Sequence, residues 1–110
     1  MATKVIINAG ACGFAVTVVI EKKGGKTFSV SVTSECEMVS KFGSELAELA
    51  MNDAFIRFID NPVYRKASVC LRHAACPVPS AILKALEVEA GLNVPRDVSI
   101  TFVSEEESRT

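Results

Sequence analysis

The sequence predicts an α+β domain in which an antiparallel sheet, built on one β-hairpin, packs against two to four helices and gains a C-terminal strand. Three observations support this prediction. Apolar residues alternate on both sides of Gly24-Gly25, recur at helical spacing in the middle of the chain, and alternate again near its end. With 110 residues, of which 49% are hydrophobic and 23% charged, the chain suits one domain that needs no disulfide.

The first elements are a short strand and a hairpin. Val5, Ile6 and Ile7 predict a strand at residues 4–9, and the glycines around Cys12 predict a turn at 10–13. Two segments, 14–20 and 28–33, then alternate apolar and polar residues around the glycine turn, as the strands of a hairpin do.

The loop length decides the register of the hairpin. A two-residue loop would pair Val30 with Val19, whereas a three-residue loop at 24–26 pairs Val30 with Ile20. We favour the longer loop because it places both apolar stripes on one face, and a slip of one residue turns every side chain to the opposite face. That face packs on helices, and the Ser/Thr face meets water or a partner.

The middle of the chain predicts helices. Ser34 as N-cap and Glu37 at the third helical position form a capping box. Apolar residues at helical spacing continue this helix to about Met51, and Asn52-Asp53 separate it from a short helix at 54–59. A turn at 60–62 follows.

The second half of the chain predicts two more helices and a last strand. One helix covers residues 64–75, and another begins at Cys76-Pro77 and stops at Gly91. Alternating residues predict a strand at 98–103. The polar tail, 104–110, is expected to be disordered.

Charge and hydropathy narrow the classes of function. The net charge is −1 and no basic stripe is present, which argues against nucleic-acid binding. No segment approaches the ~20 apolar residues that span a membrane. The first nine residues lack the features of a secretory signal, so we expect a cytoplasmic protein with reduced thiols. Edge strands favour a protein partner or a homodimer.

Three of the four cysteines are predicted at the ends of elements. Cys36 and Cys76 fall at helix starts, where free backbone N–H groups and the helix dipole favour a thiolate. Cys12 lies between glycines, where the backbone can approach an ion closely. Cys70, in contrast, lies on the apolar face of a helix, where a cysteine usually packs as a buried, unreactive thiol.

The single histidine lies between two cysteines. His73 follows Cys70 by three residues and precedes Cys76 by three, and structural zinc sites supply ligands in pairs of such spacing. Neither pair identifies a zinc site on spacing alone.

The cysteine layout resembles the NifU/IscU-type iron–sulfur scaffold domain. Cys12-Gly13 precedes a hairpin, Cys36 lies where the hairpin enters a helix, and His73 with Cys76 opens a later helix. The resemblance covers residues 12–91. It implies a transiently bound [2Fe–2S] cluster or a zinc ion, with the family's cysteine ligands carried over to Cys12, Cys36 and Cys76.

A second resemblance carries no activity. The strings Ala-Cys-Gly-Phe, Ser-Glu-Cys-Glu and Cys-Pro-Val-Pro are similar to those of small uncharacterised prokaryotic proteins.

The leading hypothesis is therefore a non-catalytic, scaffold-like or carrier-like domain. Thiolates of Cys12, Cys36 and Cys76, completed by His73 or Cys70, bind an iron–sulfur cluster or zinc. One alternative is a small oligomerising or interaction domain that binds no cofactor and whose cysteines only pack. Another is a thiol-dependent enzyme that uses Cys76 and His73 as a nucleophile and base.

Overall fold

The architecture is a four-stranded sheet with three α-helices. The structure is a computed structural model, and it describes residues 2–10 and 13–104. In chain order the elements are β1 (Ala2–Asn8), β2 (Ala15–Gly24), β3 (Thr27–Ser34), α1 (Glu37–Leu46), β4 (Glu48–Ala50), a 3₁₀-helix (Met51–Ala54), α2 (Pro62–Cys70) and α3 (Val78–Glu89). The strands follow the order β1-β2-β3-β4, and each neighbouring pair is antiparallel. The predicted α+β class is confirmed.

The register of the β2–β3 hairpin is the one that the longer loop predicts. Val30 pairs with Ile20, and Val32 pairs with Val18. The ladder shifts between Lys22 and Gly24, and Gly25 has a φ of 57°, a left-handed conformation that glycine adopts without steric penalty. The prediction that the apolar stripes share one face is therefore confirmed.

One cluster of buried apolar residues holds the sheet and the helices together. α1 packs on β3, while α3 packs on β1 and β2. Fully buried members of this core include Val18, Ile20, Phe28, Phe42 and Ile82, each with 0% exposure. On the other face of β3, Ser31 and Thr33 are exposed, as the alternation predicts.

The start of α1 differs from the predicted capping box. Cys36 is the N-cap, and the helix begins at Glu37. Ser34 still belongs to β3, where it pairs with Val16, so its side chain is too early in the chain to cap the helix. Its Oγ accepts a hydrogen bond from the Cys36 N–H instead (3.1 Å).

α1 also ends earlier than predicted, at Leu46. Residues 48–50 form β4, in which Leu49 pairs with Phe28, and the Val30 N–H donates to the Ala47 carbonyl (2.8 Å). Leu49 would face the core either as part of α1 or as part of a strand. Its pairing with β3 places it in a strand.

The predicted helix at 54–59 is wrong. A 3₁₀-helix occupies Met51–Ala54, and the chain then turns. Asn61, only 2% exposed, holds this turn: its Nδ2 donates to the carbonyls of Asp53 (2.8 Å) and Ile56 (3.0 Å). Its Oδ1 caps α2 by accepting from the Val63 N–H (3.0 Å).

The two later helices have different bounds from those predicted. α2 runs over Pro62–Cys70, because the Asn61 cap and a proline in the first turn start it early, and it stops before His73. α3 runs over Val78–Glu89, and Gly91, with a φ of 76°, stops it as predicted. The Leu92 N–H donates to the Glu87 carbonyl (2.8 Å), which completes a Schellman motif.

The predicted strand at 98–103 is not formed. Residues 94–104 have no regular secondary structure, and every residue from 91 to 104 is exposed. Alternation produces a strand only where another edge accepts its backbone hydrogen bonds, and this segment is paired with none of the described strands. Of the tail predicted to be disordered, 105–110 lies outside the described residues.

None of the helices in residues 2–10 and 13–104 is both long enough and apolar enough to cross a membrane.

Gly43 allows α1 to lie close to β3, which generates a stability prediction. A Cβ at this position would overlap the Cβ of Val32, an atom fixed to the strand backbone. Overpacking costs about 1–3 kcal/mol and alanine gains about 1 kcal/mol over glycine in a helix, so Gly43→Ala should lower the free energy of unfolding by up to about 2 kcal/mol. Urea denaturation measures this. The control is Gly24→Ala, whose Cβ meets open space; equal losses in both variants would refute the close-approach explanation.

The three hydrogen bonds of Asn61 generate a second stability prediction. Asn61→Ala removes a helix cap and two side-chain donors, for an expected loss of about 2–3 kcal/mol in thermal or chemical unfolding. Asn61→Ser keeps a cap acceptor but cannot reach both carbonyls, so its loss should be smaller. If serine and alanine destabilise the protein equally, the cap contributes nothing.

Candidate thiolate site

A cavity of about 470 Å³ lies where the start of α1, the turn before α3 and the beginning of β2 meet. Two of the predicted ligand cysteines and the histidine contribute to its wall. The lining residues are Ala9, Phe14, Val16, Cys36, Met38, Val39, Leu71, Arg72, His73, Ala75, Cys76, Pro77 and Val78. Cys36 and Cys76 are 40 residues apart in the sequence, yet both line this cavity, together with His73.

The junction between β3 and α1 positions Cys36. Its N–H donates to the Ser34 side chain, and its carbonyl accepts the first helical bond, from the Ser40 N–H (2.9 Å). The Ser40 Oγ in turn donates to the Ser34 carbonyl (2.8 Å). These bonds fix the Cys36 backbone at the end of the hairpin, with its half-buried side chain beside the core.

A tight turn between α2 and α3 positions His73 and Cys76. The Cys76 N–H donates to the His73 carbonyl (3.2 Å), so the two residues are the first and fourth of the turn. His73 is exposed, whereas Cys76 is half-buried and packs against the core. The helix predicted to carry His73 has already ended at Cys70.

Cys12 lies outside the described residues, but residues close to it in the sequence line the cavity. Ala9 and Phe14 both line it, and the Gly13 N–H donates to the Gly10 carbonyl (2.9 Å). Gly10 and Gly13 have φ values of 79° and 75°, conformations that explain why the predicted turn needs glycine at both positions.

The structure does not bring Cys70 to the cavity. This residue ends α2, and its thiol donates to Oε2 of Glu45 on α1 (3.4 Å). Lys66 Nζ also contacts the Glu45 carboxylate (3.3 Å). Partial burial, together with the negative charge and hydrogen bond of Glu45, raises the pKa of the Cys70 thiol. A thiol held protonated in this way is a poor metal ligand.

The donors of the described part of the chain do not form a complete coordination group. Among residues 2–10 and 13–104, no three His, Cys, Asp or Glu side chains are close enough together to hold a metal ion. Cys36, His73 and Cys76 share a cavity without forming such a group by themselves. Lining one cavity therefore does not by itself place these three side chains within coordinating distance of one another.

The charges around the cavity favour an anionic occupant. Arg72 is part of the wall, and the N-terminal ends of α1 and α3 both lie at the cavity, through Cys36 and Pro77. Helix N-termini carry partial positive charge and free N–H groups. A metal bound by several thiolates is a net anion, so these groups would stabilise it.

Sequence reasoning did not identify the rest of the wall. Apolar side chains, including Phe14, Met38 and Leu71, make most of the surface, and Arg72 supplies its cation. In the sequence, Phe14 directly follows Cys12-Gly13 and Arg72 directly precedes His73, so only their positions next to candidate ligands point to the wall. An apolar shell limits the access of solvent to a metal and to its ligands.

Cys70 and Glu45 generate a pH-dependent prediction. Because the raised pKa of Cys70 leaves less thiolate at pH 8, iodoacetamide should alkylate Cys70 more slowly than Cys36, as read by peptide mass spectrometry. Glu45→Gln removes the facing charge, lowers the Cys70 pKa and should speed alkylation at that residue alone. The matched control is Glu48→Gln, an exposed residue of β4; an equal acceleration in both variants would contradict the assignment.

Comparison with known proteins identifies a family but no activity. No curated protein and no solved structure matches the chain significantly. One family profile matches residues 3–102, which is nearly the whole chain. The chain belongs to DUF6951, a family of unknown function.

Proposed function

We propose that this protein binds a zinc ion or a [2Fe–2S] cluster through the thiolates of Cys12, Cys36 and Cys76, and acts as a non-catalytic metal-binding domain. His73 completes the ligand set. The observation that supports the proposal is that Cys36, His73 and Cys76 line one cavity, although Cys36 lies at the β3–α1 junction and the other two lie in the turn between α2 and α3. A core that needs only packing does not require two cysteines and the single histidine of the chain to line the same cavity.

The donor set suits soft metals. Thiolate sulfur and imidazole nitrogen are the ligands of structural zinc sites, and cysteine thiolates are the usual ligands of iron–sulfur clusters. The cavity volume of about 470 Å³ has room for either group. His73, as the exposed member, would take the position nearest the solvent.

Cys70 is left out of the proposed ligand set. Its thiol is hydrogen-bonded to Glu45 and its pKa is raised, whereas a metal ligand must lose its proton. Cys70 is therefore the natural control.

The proposal places the protein in a reducing compartment such as the cytoplasm. Cysteine thiols stay reduced there, so they remain available to bind a metal as thiolates. The cavity would hold the metal, and a protein partner would deliver or receive it; no chemical turnover is part of this role.

Metal titration of the full chain tests the proposal. Under anaerobic conditions, Co²⁺ added as a zinc substitute should give thiolate-to-metal charge-transfer absorption with a stoichiometry of one. Cys12→Ser, Cys36→Ser and Cys76→Ser should each weaken binding by at least about 10- to 100-fold, as the loss of metal-site contacts does. His73→Ala should shift the d–d bands, because the fourth ligand changes.

Cys70→Ser is the matched control, since it removes a thiol without touching the cavity. It should bind Co²⁺ as the wild type does. The proposal fails if the wild type gives no charge-transfer band, if Cys36→Ser and Cys76→Ser bind normally, or if Cys70→Ser loses as much affinity as they do. Circular dichroism of each apo variant separates loss of ligand from loss of fold.

A further inference from the structure

The C-terminal segment, residues 98–103, presents an apolar face that nothing in its own chain covers. Ile100 is 83% exposed, Phe102 is 96% exposed and Val98 is 62% exposed. These three residues alternate with Ser99, Thr101 and Val103, the pattern of a strand with one buried face. Large apolar side chains that are this exposed and this regularly spaced indicate an interaction surface.

The same chain offers an unpaired strand edge. β1 lies at the end of the sheet and pairs only with β2. No backbone hydrogen bond of the described residues outside the helices and sheet ladders reaches Ala2–Asn8. Such an edge presents a row of backbone donors and acceptors, and an extended segment can add to it as a further strand.

The faces of the segment and of β1 match. On the helix side of β1, Val5 and Ile7 pack on the core, so Ile100 and Phe102 beside them would extend the same apolar layer. On the other side, Ile6 is 64% exposed and would lie opposite Thr101, with Val103 as a diagonal neighbour. β1 has seven residues, which suits an added strand of six.

Charge fixes the direction of the added strand. The N-terminal end of β1 lies beside the hairpin tip, because Ala2 pairs with Glu21. Four exposed lysines occur on β1 and the tip: Lys4, Lys22, Lys23 and Lys26. In the sequence, Glu105, Glu106 and Glu107 directly follow the segment. An antiparallel strand would end at the lysines and bring these opposite charges together.

The segment of the same chain could take this position only if the residues that lead into it were straightened. α3 ends beside the N-terminal end of β1, since the Glu89 carboxylate accepts from Thr3 Oγ1 (2.6 Å) and from the Lys22 N–H (3.2 Å). To enter antiparallel, residues 92–97 would have to run the whole length of β1, about 20 Å. Six residues reach about 20 Å only when fully extended, and a bond from the Arg96 N–H to the Val94 carbonyl (2.9 Å) shortens them.

We therefore propose that residues 98–103 of one copy add as an antiparallel strand to the β1 edge of a second copy, in a dimer with reciprocal exchange. The exchange buries both exposed segments and both open edges of the pair. It also completes the sheet with the strand that the sequence pattern predicts. The proposal does not depend on metal binding.

Isotope-resolved cross-linking of the full-length protein tests the exchange. Equal amounts of ¹⁴N and ¹⁵N chains are mixed, equilibrated and treated with a zero-length carbodiimide, which joins lysines to carboxylates in direct contact. Peptides that link 105–107 to Lys4, Lys22, Lys23 or Lys26 with mixed isotopes are expected. Links of one isotope only, or no such links, would overturn the proposal, since the first outcome places the segment on its own chain.

Sedimentation equilibrium supplies the second arm of the test. The wild type should be a dimer at micromolar concentration, and Ile100→Asp should raise the dissociation constant at least about tenfold by placing a charge on the buried face. Ser99→Asp adds the same charge to the opposite face and should change it less. Because both residues are exposed in the single chain, neither variant should alter the circular dichroism spectrum. A monomeric wild type, or equal effects of the two variants, would overturn the proposal.

Discussion

The register of the β2–β3 hairpin is the constraint on which the rest of the structure depends. Pairing Val30 with Ile20 places both apolar stripes on one face, and that face is where α1 and α3 pack. The same register ends β3 at Ser34, two residues before Cys36. A slip by one residue would turn the stripes to the solvent and remove the surface that holds both helix starts at one end of the sheet.

Local signals were sufficient for the hairpin, because a period of two and a glycine turn determine it within 20 residues. They also located the end of α3, where a glycine with positive φ is required. Local signals in the sequence do not determine where α1 ends. Leu49 satisfies the helical period of α1, and only its pairing with Phe28 on β3 decides that it lies in a strand.

The candidate residues can be selected from the sequence, but their arrangement cannot. Predicted helix starts selected Cys36 and Cys76, and spacing added His73, yet only the tertiary structure puts them on one cavity and leaves Cys70 beside Glu45. Sequence spacing left both His73 and Cys70 open as the completing ligand, although Cys70 was expected to pack on an apolar helix face. What separates them is position: Cys70 ends α2 beside Glu45, whereas His73 lies in the following turn, which lines the cavity.

The two proposals concern different places in the chain. The proposed metal site uses the cavity lined by Cys36, His73 and Cys76, and the proposed strand exchange uses the β1 edge and residues 98–103. X-ray absorption at the zinc edge of the loaded protein tests the first, central claim most directly. The account predicts three sulfur scatterers at about 2.3 Å and one nitrogen. A shell of oxygen and nitrogen alone would contradict it.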